Sequence, residues 1–341
     1  MRKDGMSNGM TLAPEWLAHR YDERADAIHF VNAPRELRGQ VPFLIDAHLP
    51  GAAEPVPVGR IEAMSAAPPP APLHFIFHSA YCCSTLLAAV LDIPGVATSY
   101  KEPQILNDMV GWRHRGAAPA RLAEVIDNSL RLLSRPFQPG EACLIKPSNL
   151  VNGLIDAMLK MRPDAHCVLL HAPLRDFVTS VARKGMAGRL WVRELLSRQL
   201  AENYVDLGFE PRDYLLHTDL QAAAVGWLAQ QAHFARLVRQ WPDRVRTLNS
   251  ERMIERPTEA VGSCASWFGL KLDDATRDTA VKAQFARNSK DGSRFAPGQR
   301  EAARREGEAL HADEIEKVTI WAEAVAHTAE VPLELEGKLI G

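Results

Sequence analysis

From Leu73 onward, short apolar runs alternate with amphipathic helical patterns, and this alternation restricts the fold more than any other feature of the chain. Runs that are apolar throughout are typical of strands covered on both faces. The pattern therefore predicts a three-layer α/β fold, in which helices cover both faces of a central parallel sheet of about five strands. Predicted strands lie at 73–77, 97–100, 142–146, 166–171 and 244–249; predicted helices lie at 84–92, 121–133, 151–161, 176–184 and 258–268, with a helical stretch at about 189–240.

Domain organisation follows from a proline-rich connector that precedes the first of these strands. We expect an N-terminal extension at 1–72, including the connector, an α/β domain at 73–300 and a C-terminal helical segment at 301–341. Within the extension, the sequence predicts a short helix opened by Pro14–His19 and a short strand or turn at Pro42–Asp46.

Charge, cysteine content and hydropathy argue against several classes of function. The formal net charge is −2, which argues against binding nucleic acid through bulk charge. The five cysteines are odd in number and lack zinc-ligand or CxxC spacing, as expected of buried thiols in a reducing compartment. No stretch approaches the roughly 20 apolar residues of a membrane span, and the N-terminus lacks the apolar run of a signal peptide. We expect a cytoplasmic protein without membrane or nucleic-acid partners, either a monomer or a homodimer.

The loop between the first predicted strand and its helix has the character of an anion-binding site. Ser84 and Thr85 stand where the helix begins, and unpaired backbone N–H groups at a helix N-terminus bind phosphate or sulfate groups. Cys83 occupies the place of the lysine in the common ATP-binding loop, so ATP is not the expected ligand. Ordinary helix capping by these hydroxyls is the alternative interpretation.

Residues that follow strands are the other candidates, because ligands of open parallel sheets lie beyond the carboxyl ends of the strands. This rule selects the stretches 78–85, 101–104, 146–149 and 171–184. Two of them carry a carboxylate and a cation, Glu102 and Lys146. A structural ion pair between these two side chains is the alternative to a role in chemistry. No histidine spacing suggests a metal site.

In their order along the chain, these stretches resemble the sulfotransferase family, which has a P-loop-like α/β fold and uses 3′-phosphoadenosine 5′-phosphosulfate (PAPS). The run Ser79–Leu87 looks like the family's 5′-phosphosulfate loop, although Tyr81 replaces a basic residue and Cys83 a glycine. Lys146–Ile155, with Arg162–Leu170 after it, is similar to the stretch Lys-x-Pro-x-Asn-Phe…Gly-Leu-Ile…Phe-Pro-Asn-Ala-Lys of tyrosylprotein and bacterial sulfotransferases.

The third similarity lies in Arg175–Ser180, which resembles the Arg-Asp-x-x-x-Ser portion of the family's 3′-phosphate motif. The arginine that normally opens this motif has no counterpart, because His171 and Ala172 occupy its place.

Site roles are implied by this resemblance. Glu102 would be the general base for the acceptor, and Lys146 the cation that stabilises developing negative charge. The resemblance assigns the remaining positions to PAPS binding: Ser79, Tyr81, Cys82, Cys83, Ser84 and Thr85 at the 5′-phosphosulfate, Arg175, Ser180 and Arg183 at the 3′-phosphate, and Lys290 and Arg294 in a basic loop over the nucleotide.

The implied reaction is transfer of a sulfuryl group from PAPS, as co-substrate, to a hydroxyl or amine of a small-molecule or glycan acceptor, with a general base and no metal. Two alternatives stay open. A P-loop small-molecule kinase or nucleotide hydrolase is disfavoured by the missing lysine before Ser84. A nucleotide-binding protein of the same fold that has lost catalysis is favoured by the replacement at Tyr81.

Overall fold

The computed structural model describes residues 12–286 and 299–341. Within them, eight strands form two sheets. The strands are β1 (Trp16–Asp22), β2 (Ala27–Asn32), β3 (Val56–Gly59), β4 (Leu73–His78), β5 (Ala97–Lys101), β6 (Ala142–Lys146), β7 (Cys167–His171) and β8 (Val245–Asn249). The first sheet is antiparallel with the order β1-β2-β3, and the second has the order β5-β6-β4-β7-β8. The predicted α/β fold with a five-stranded parallel sheet is confirmed.

Helices alternate with the strands of the larger sheet along the chain, as the sequence pattern predicts. They are α1 (Arg35–Gln40), α2 (Arg60–Ala66), α3 (Ser84–Val90), α4 (Gln104–His114), α5 (Pro119–Leu132), α6 (Ile155–Met161), α7 (Leu174–Arg183), α8 (Gly185–Ala201), α9 (Asp213–Leu216), α10 (Asp219–Gln240), α11 (Ser250–Glu255), α12 (Pro257–Trp267), α13 (Asp274–Phe285) and α14 (Gln299–Thr328). No helix in these described ranges is long and apolar enough to cross a membrane.

The register of the parallel strands aligns their carboxyl ends. Lys101, the last residue of β5, is opposite Lys146, the last residue of β6. His171, the last residue of β7, is likewise opposite Asn249 at the end of β8. Every residue of β4, β5, β6 and β7 is buried, as expected of strands covered on both faces. Polar residues that end these strands are therefore held on rigid, buried backbone.

The chain forms two compact units. The N-terminal unit comprises residues 12–75 and 88–165, and it contains the antiparallel sheet, β5 and β6. The C-terminal unit comprises residues 76–87, 166–286 and 299–341, and it contains β7, β8 and the helices from α7 onward.

The predicted helix at Pro14–His19 is wrong, because Trp16–Asp22 is strand β1. Its residues pair antiparallel with β2, from Trp16 opposite Asn32 to Asp22 opposite Ala27. Leu17 and Ala18 are almost completely buried in this arrangement. Pairing and burial thus override the helix-start signal of Pro14.

Two other helical predictions change in detail. The stretch expected at 189–240 is broken into α8, α9 and α10, and a capping box of Thr218 and Gln221 begins the last of these. The helix expected at 151–161 starts as a 3-10 helix, Asn149–Leu154, before α6 continues it. Pro42–Asp46 forms bends and leads into a 3-10 turn at Asp46–His48.

Candidate active site

The loop between β4 and α3 has an unusual backbone. Ala80, Tyr81 and Cys83 have φ angles of 70°, 52° and 59°, in the left-handed region that favours glycine. Each such residue costs on the order of 1 kcal/mol or more, and the surrounding structure must hold it in place. Concave backbones with left-handed residues also turn successive N–H groups toward one point, which makes them suitable for binding anions.

Hydrogen bonds at the start of the loop hold this backbone. Ser79 N donates to Leu170 O at 3.0 Å, and the Ser79 hydroxyl accepts from Ala172 N at 3.2 Å. His78 Nδ1 accepts from Ala80 N at 3.0 Å. Ser79, a predicted ligand-binding residue, therefore uses its hydroxyl within the protein to tie the loop to the end of β7.

Ser84 and Thr85 open helix α3 and are 6% and 5% exposed. Among the described residues, their hydroxyls and their backbone N–H groups donate no hydrogen bond. The next two backbone N–H groups, of Leu86 and Leu87, both donate to Cys83 O. Donors at a helix N-terminus that make no bond within the protein are available to an anion, so this position is the best candidate of the loop for an anion.

The side chain of Tyr81 packs among aromatic rings of the C-terminal unit. Its ring centroid lies 5.6 Å from that of Phe177 and 5.3 Å from that of Trp191, both in edge-on geometry. Burial raises the pKa of the Tyr81 phenol. Cys82 is buried and Cys83 is half-buried, and both carry thiols. Tyr81 thus packs the loop against these rings. A basic side chain stands at this position in the motif that the loop resembles.

Glu102 and Lys146 lie together in the N-terminal unit, immediately after β5 and at the end of β6. The Lys146 ammonium forms an ion pair with Glu102 Oε1, and Glu102 N donates to Lys146 O at 2.6 Å. The Lys146 side chain is 1% exposed and that of Glu102 is 18% exposed. Glu102 has a φ angle of 51°, another left-handed position. In this salt bridge, the carboxylate is partly exposed to solvent and the ammonium is buried.

The neighbouring cation, Lys101, is turned to a different partner. Its ammonium donates to Val41 O at 2.6 Å, in a buried position. Burial lowers the pKa of Lys101 to about 8; the charge of Asp92 opposes this shift and that of Lys146 adds to it. Lys101 therefore donates to the backbone of residues before β5 and also places a cation near the Lys146–Glu102 pair.

Arg175 lines a cavity of about 510 Å³ at the carboxyl ends of β7 and β8. Its guanidinium pairs with Glu316 at 2.6 Å, and both side chains are about half exposed. His171 also lines the cavity; burial lowers its pKa to about 4, so the imidazole is neutral at pH 7. Within the described part of the chain, the buried His171 Nδ1 has no hydrogen-bond partner. The cavity thus offers paired charges and one unsatisfied polar atom.

The other predicted 3′-phosphate residues lie elsewhere on α7. Ser180 is half-buried and Arg183 is exposed, and neither is among the residues that line the cavity. Lys290 and Arg294 lie outside the described residues.

Several lining residues of the cavity were missed by the sequence analysis. Asn249 is the last residue of β8 and Arg252 lies three residues after it, so the rule that ligands bind beyond strand ends could have selected them. Lys338 comes from the last residues of the chain, where no sequence pattern marks it. In the N-terminal unit, Phe43 was also missed; its ring centroid lies 5.2 Å from Lys146 Nζ.

Comparisons with known proteins return sulfotransferase structures. A sulfotransferase domain from the Synechococcus PCC 7002 olefin synthase is 15% identical, with 74% of this chain and 95% of that chain covered and a TM-score of 0.42. A sulfotransferase from Alicyclobacillus acidocaldarius is 16% identical, with 74% and 96% covered and a TM-score of 0.38. A sulfotransferase from Mycobacterium avium is 15% identical, with 74% and 78% covered and a TM-score of 0.41. No protein-family model and no curated protein sequence matches the chain.

Proposed function

We propose that this protein is a PAPS-dependent sulfotransferase that acts on a hydroxyl or amine of a small-molecule or glycan acceptor. The observation that carries the proposal is the Lys146–Glu102 ion pair at adjoining strand ends, with the ammonium buried and the carboxylate partly open. Sulfuryl transfer, like phosphoryl transfer, needs mainly positioning and charge stabilisation, which a cation, a base and an anion-binding loop supply.

The donor's 5′-phosphate end fits the loop that precedes α3. Ser84 and Thr85 are buried residues, and their backbone N–H groups and hydroxyls donate no hydrogen bond within the described part of the chain. An anionic oxygen would satisfy them, with further support from the left-handed backbone at Cys83. Tyr81 does not fit the charge-stabilising role of the basic residue that it replaces, so that role falls to Lys146 in this proposal.

Arg175 is the proposed contact for the 3′-phosphate, because its guanidinium lines the cavity and suits bidentate anion binding. Binding there requires Arg175 to exchange its exposed partner Glu316, an exchange of low cost for a solvent-exposed pair. Ser180 and Arg183 are proposed as further contacts of the same helix.

During transfer, the bond between the sulfuryl sulfur and the donor oxygen breaks while a bond to the acceptor oxygen or nitrogen forms. Glu102 takes the acceptor's proton, since its carboxylate is accessible and is oriented by the ammonium of Lys146. Lys146 stabilises negative charge that develops on the peripheral or leaving oxygens.

A direct test combines binding and turnover. We expect 3′-phosphoadenosine 5′-phosphate to raise the melting temperature and ATP with Mg²⁺ to leave it unchanged. PAPS with a panel of phenols, amines and glycans should give a product heavier by one sulfuryl group, detected by mass spectrometry. Stabilisation by ATP with Mg²⁺ alone would contradict the proposal and favour a kinase.

The packing of Tyr81 supports a second candidate, a protein of this fold that binds the nucleotide without catalysis. Its ring is held against Phe177 and Trp191, and no basic side chain takes its place in the loop from Ser79 to Cys83. Tight binding of 3′-phosphoadenosine 5′-phosphate with no sulfated product from the whole acceptor panel would favour this candidate.

A further inference from the structure

Residues 39–49, here called the Phe43 segment, cross the end of strand β5 in the N-terminal unit. Leu44 N donates to Lys101 O at 2.7 Å, and Leu44 O accepts from Gln104 N at 3.0 Å. These two bonds are made on either side of Glu102 in the chain. Leu44 itself is completely buried. The segment is therefore fixed to the backbone that carries the proposed base.

The ammonium of Lys101 adds a second attachment. It donates to Val41 O at 2.6 Å and lies 3.4 Å from Gly39 O. A buried ammonium needs acceptors, and these backbone carbonyls of the Phe43 segment provide them. The segment is thus held from its first residues to Leu44.

Asp46 anchors the far part of the segment to strand β1. Its carboxylate bonds His19 Nε2 at 2.6 Å and Arg20 Nη1 at 2.5 Å. Arg20 also bonds Asp108 of helix α4 at 2.8 Å, and His19 is 1% exposed. The register of β1 against β2 shifts between Ala18 and Arg20, which places His19 at an irregularity of the strand. The N-terminal sheet thereby contributes to holding the segment.

Phe43 lies between these attachments and contacts the proposed catalytic cation. Its ring centroid is 5.2 Å from Lys146 Nζ, within the range of a cation–π interaction. Because Lys146 is 1% exposed, water gives its ammonium little hydration, and the ring face and the Glu102 carboxylate are two groups that stabilise it. A phenyl ring attracts the ammonium without taking one of its protons in a hydrogen bond to an oxygen.

We propose that Phe43 is a positioning residue, whose ring holds the Lys146 ammonium beside Glu102. The catalytic consequence of this inference rests on the proposed function, whereas the contact itself does not. If Phe43 merely filled space, any apolar side chain of similar size would replace it. If it acts through its ring, only an aromatic side chain can replace it.

The contact is tested by NMR on the full-length protein labelled with ¹³Cε-lysine. The chain has ten lysines, and the Lys146→Arg spectrum identifies the signal of Lys146. We expect the Lys146 Hε protons to resonate upfield of the other lysines, since they lie over a ring. The shift should persist in Phe43→Tyr and disappear in Phe43→Leu. An unshifted signal in the unsubstituted protein, or an unchanged one in Phe43→Leu, would overturn the proposal.

The catalytic consequence is tested by steady-state kinetics of sulfuryl transfer. In Phe43→Leu, kcat should fall about threefold to tenfold, the range expected for loss of one cation–π contact, with KM for PAPS unchanged. Phe43→Tyr should restore kcat to within a factor of about two. The matched control is Phe137→Leu, which removes a half-buried ring from under Arg38, 4.7 Å away, elsewhere in the same unit.

The outcomes separate the two proposals. An equal fall of kcat in Phe43→Leu and Phe137→Leu, or no rescue by Phe43→Tyr, would reduce Phe43 to a packing residue. A protein that transfers no sulfuryl group to any acceptor would remove the proposed function, and the NMR comparison would still decide whether the ring holds Lys146.

Discussion

Breaking the Lys146–Glu102 ion pair from either side should have unequal effects on stability. Glu102→Met leaves an ammonium that is 1% exposed, whereas Lys146→Met leaves a carboxylate that is 18% exposed and keeps some hydration. Removing one partner of a fully buried pair costs about 3–5 kcal/mol. We therefore expect a loss of about 3 kcal/mol in the free energy of unfolding for Glu102→Met, and of about 1–2 kcal/mol for Lys146→Met.

The double variant Glu102→Met/Lys146→Met carries no stranded charge. Its loss of stability should be smaller than the sum of the two single losses by about 1–3 kcal/mol, because the effects of substituting directly interacting residues are not additive. Urea unfolding at pH 7 followed by tryptophan fluorescence measures all three variants, and Trp16 and Trp112 report on the N-terminal unit that contains the pair. Equal losses in the single variants, or strict additivity in the double variant, would refute this account of the pair.

Turnover distinguishes a catalytic pair from a structural one. If the ion pair serves only stability, activity should recover with stability in the double variant. If Glu102 accepts the proton and Lys146 stabilises charge, the double variant should be stable and inactive, with a loss in kcat of at least about a hundredfold. Recovery of turnover together with stability would refute the proposed roles.

Three further predictions concern the C-terminal unit. Ser84→Ala and Thr85→Val should each weaken binding of 3′-phosphoadenosine 5′-phosphate about tenfold in calorimetry with the fold retained; unchanged affinity would contradict the anion-binding role of the loop. Burial lowers the pKa of His171 from 6.5 to about 4, so below pH 6.5 the unfolded chain binds more protons than the folded protein. The free energy of unfolding should therefore fall as the pH is lowered from about 6.5 to about 4. Urea unfolding of His171→Asn should show a weaker dependence on pH in this range. Arg175→Ala should weaken nucleotide binding but change stability by less than about 1 kcal/mol, because its pair with Glu316 is exposed.

The sequence predicted the larger sheet well for a physical reason. Strands that are buried on both faces are mostly apolar, so β4, β6 and β7 are visible as runs in which apolar residues predominate, whereas β5 is equally buried but carries Thr98 and Ser99. The antiparallel sheet gave no such signal. In β1 the buried residues are interspersed with half-buried polar ones, and Pro14 suggested a helix start instead. Pairing with β2 and burial of Leu17 and Ala18 stabilise β1, and the propensities of its single residues do not contain these interactions.

The candidate site divides in a similar way. Glu102 and Lys146 were selected because they follow apolar strands, and the register of β5 against β6 brings them into contact. The partners that hold them could not be selected. Phe43 lies among bends between helix α1 and the 3-10 turn at Asp46–His48. Its place beside Lys146 depends on hydrogen bonds between Leu44 and the backbone on either side of Glu102.

The loop from Ser79 to Cys83 shows that a sequence motif and a backbone geometry are separate properties. Pattern rules look for glycine where a phosphate-binding loop turns, because glycine reaches left-handed φ angles without steric cost. Here Ala80, Tyr81 and Cys83 reach the same region with side chains in place. Tertiary contacts stabilise this backbone conformation. The Ser79 hydroxyl accepts a hydrogen bond from Ala172 N, and the Tyr81 ring packs against its aromatic neighbours. The shape of this loop and the charge of its side chains are therefore separate properties, and they must be tested separately.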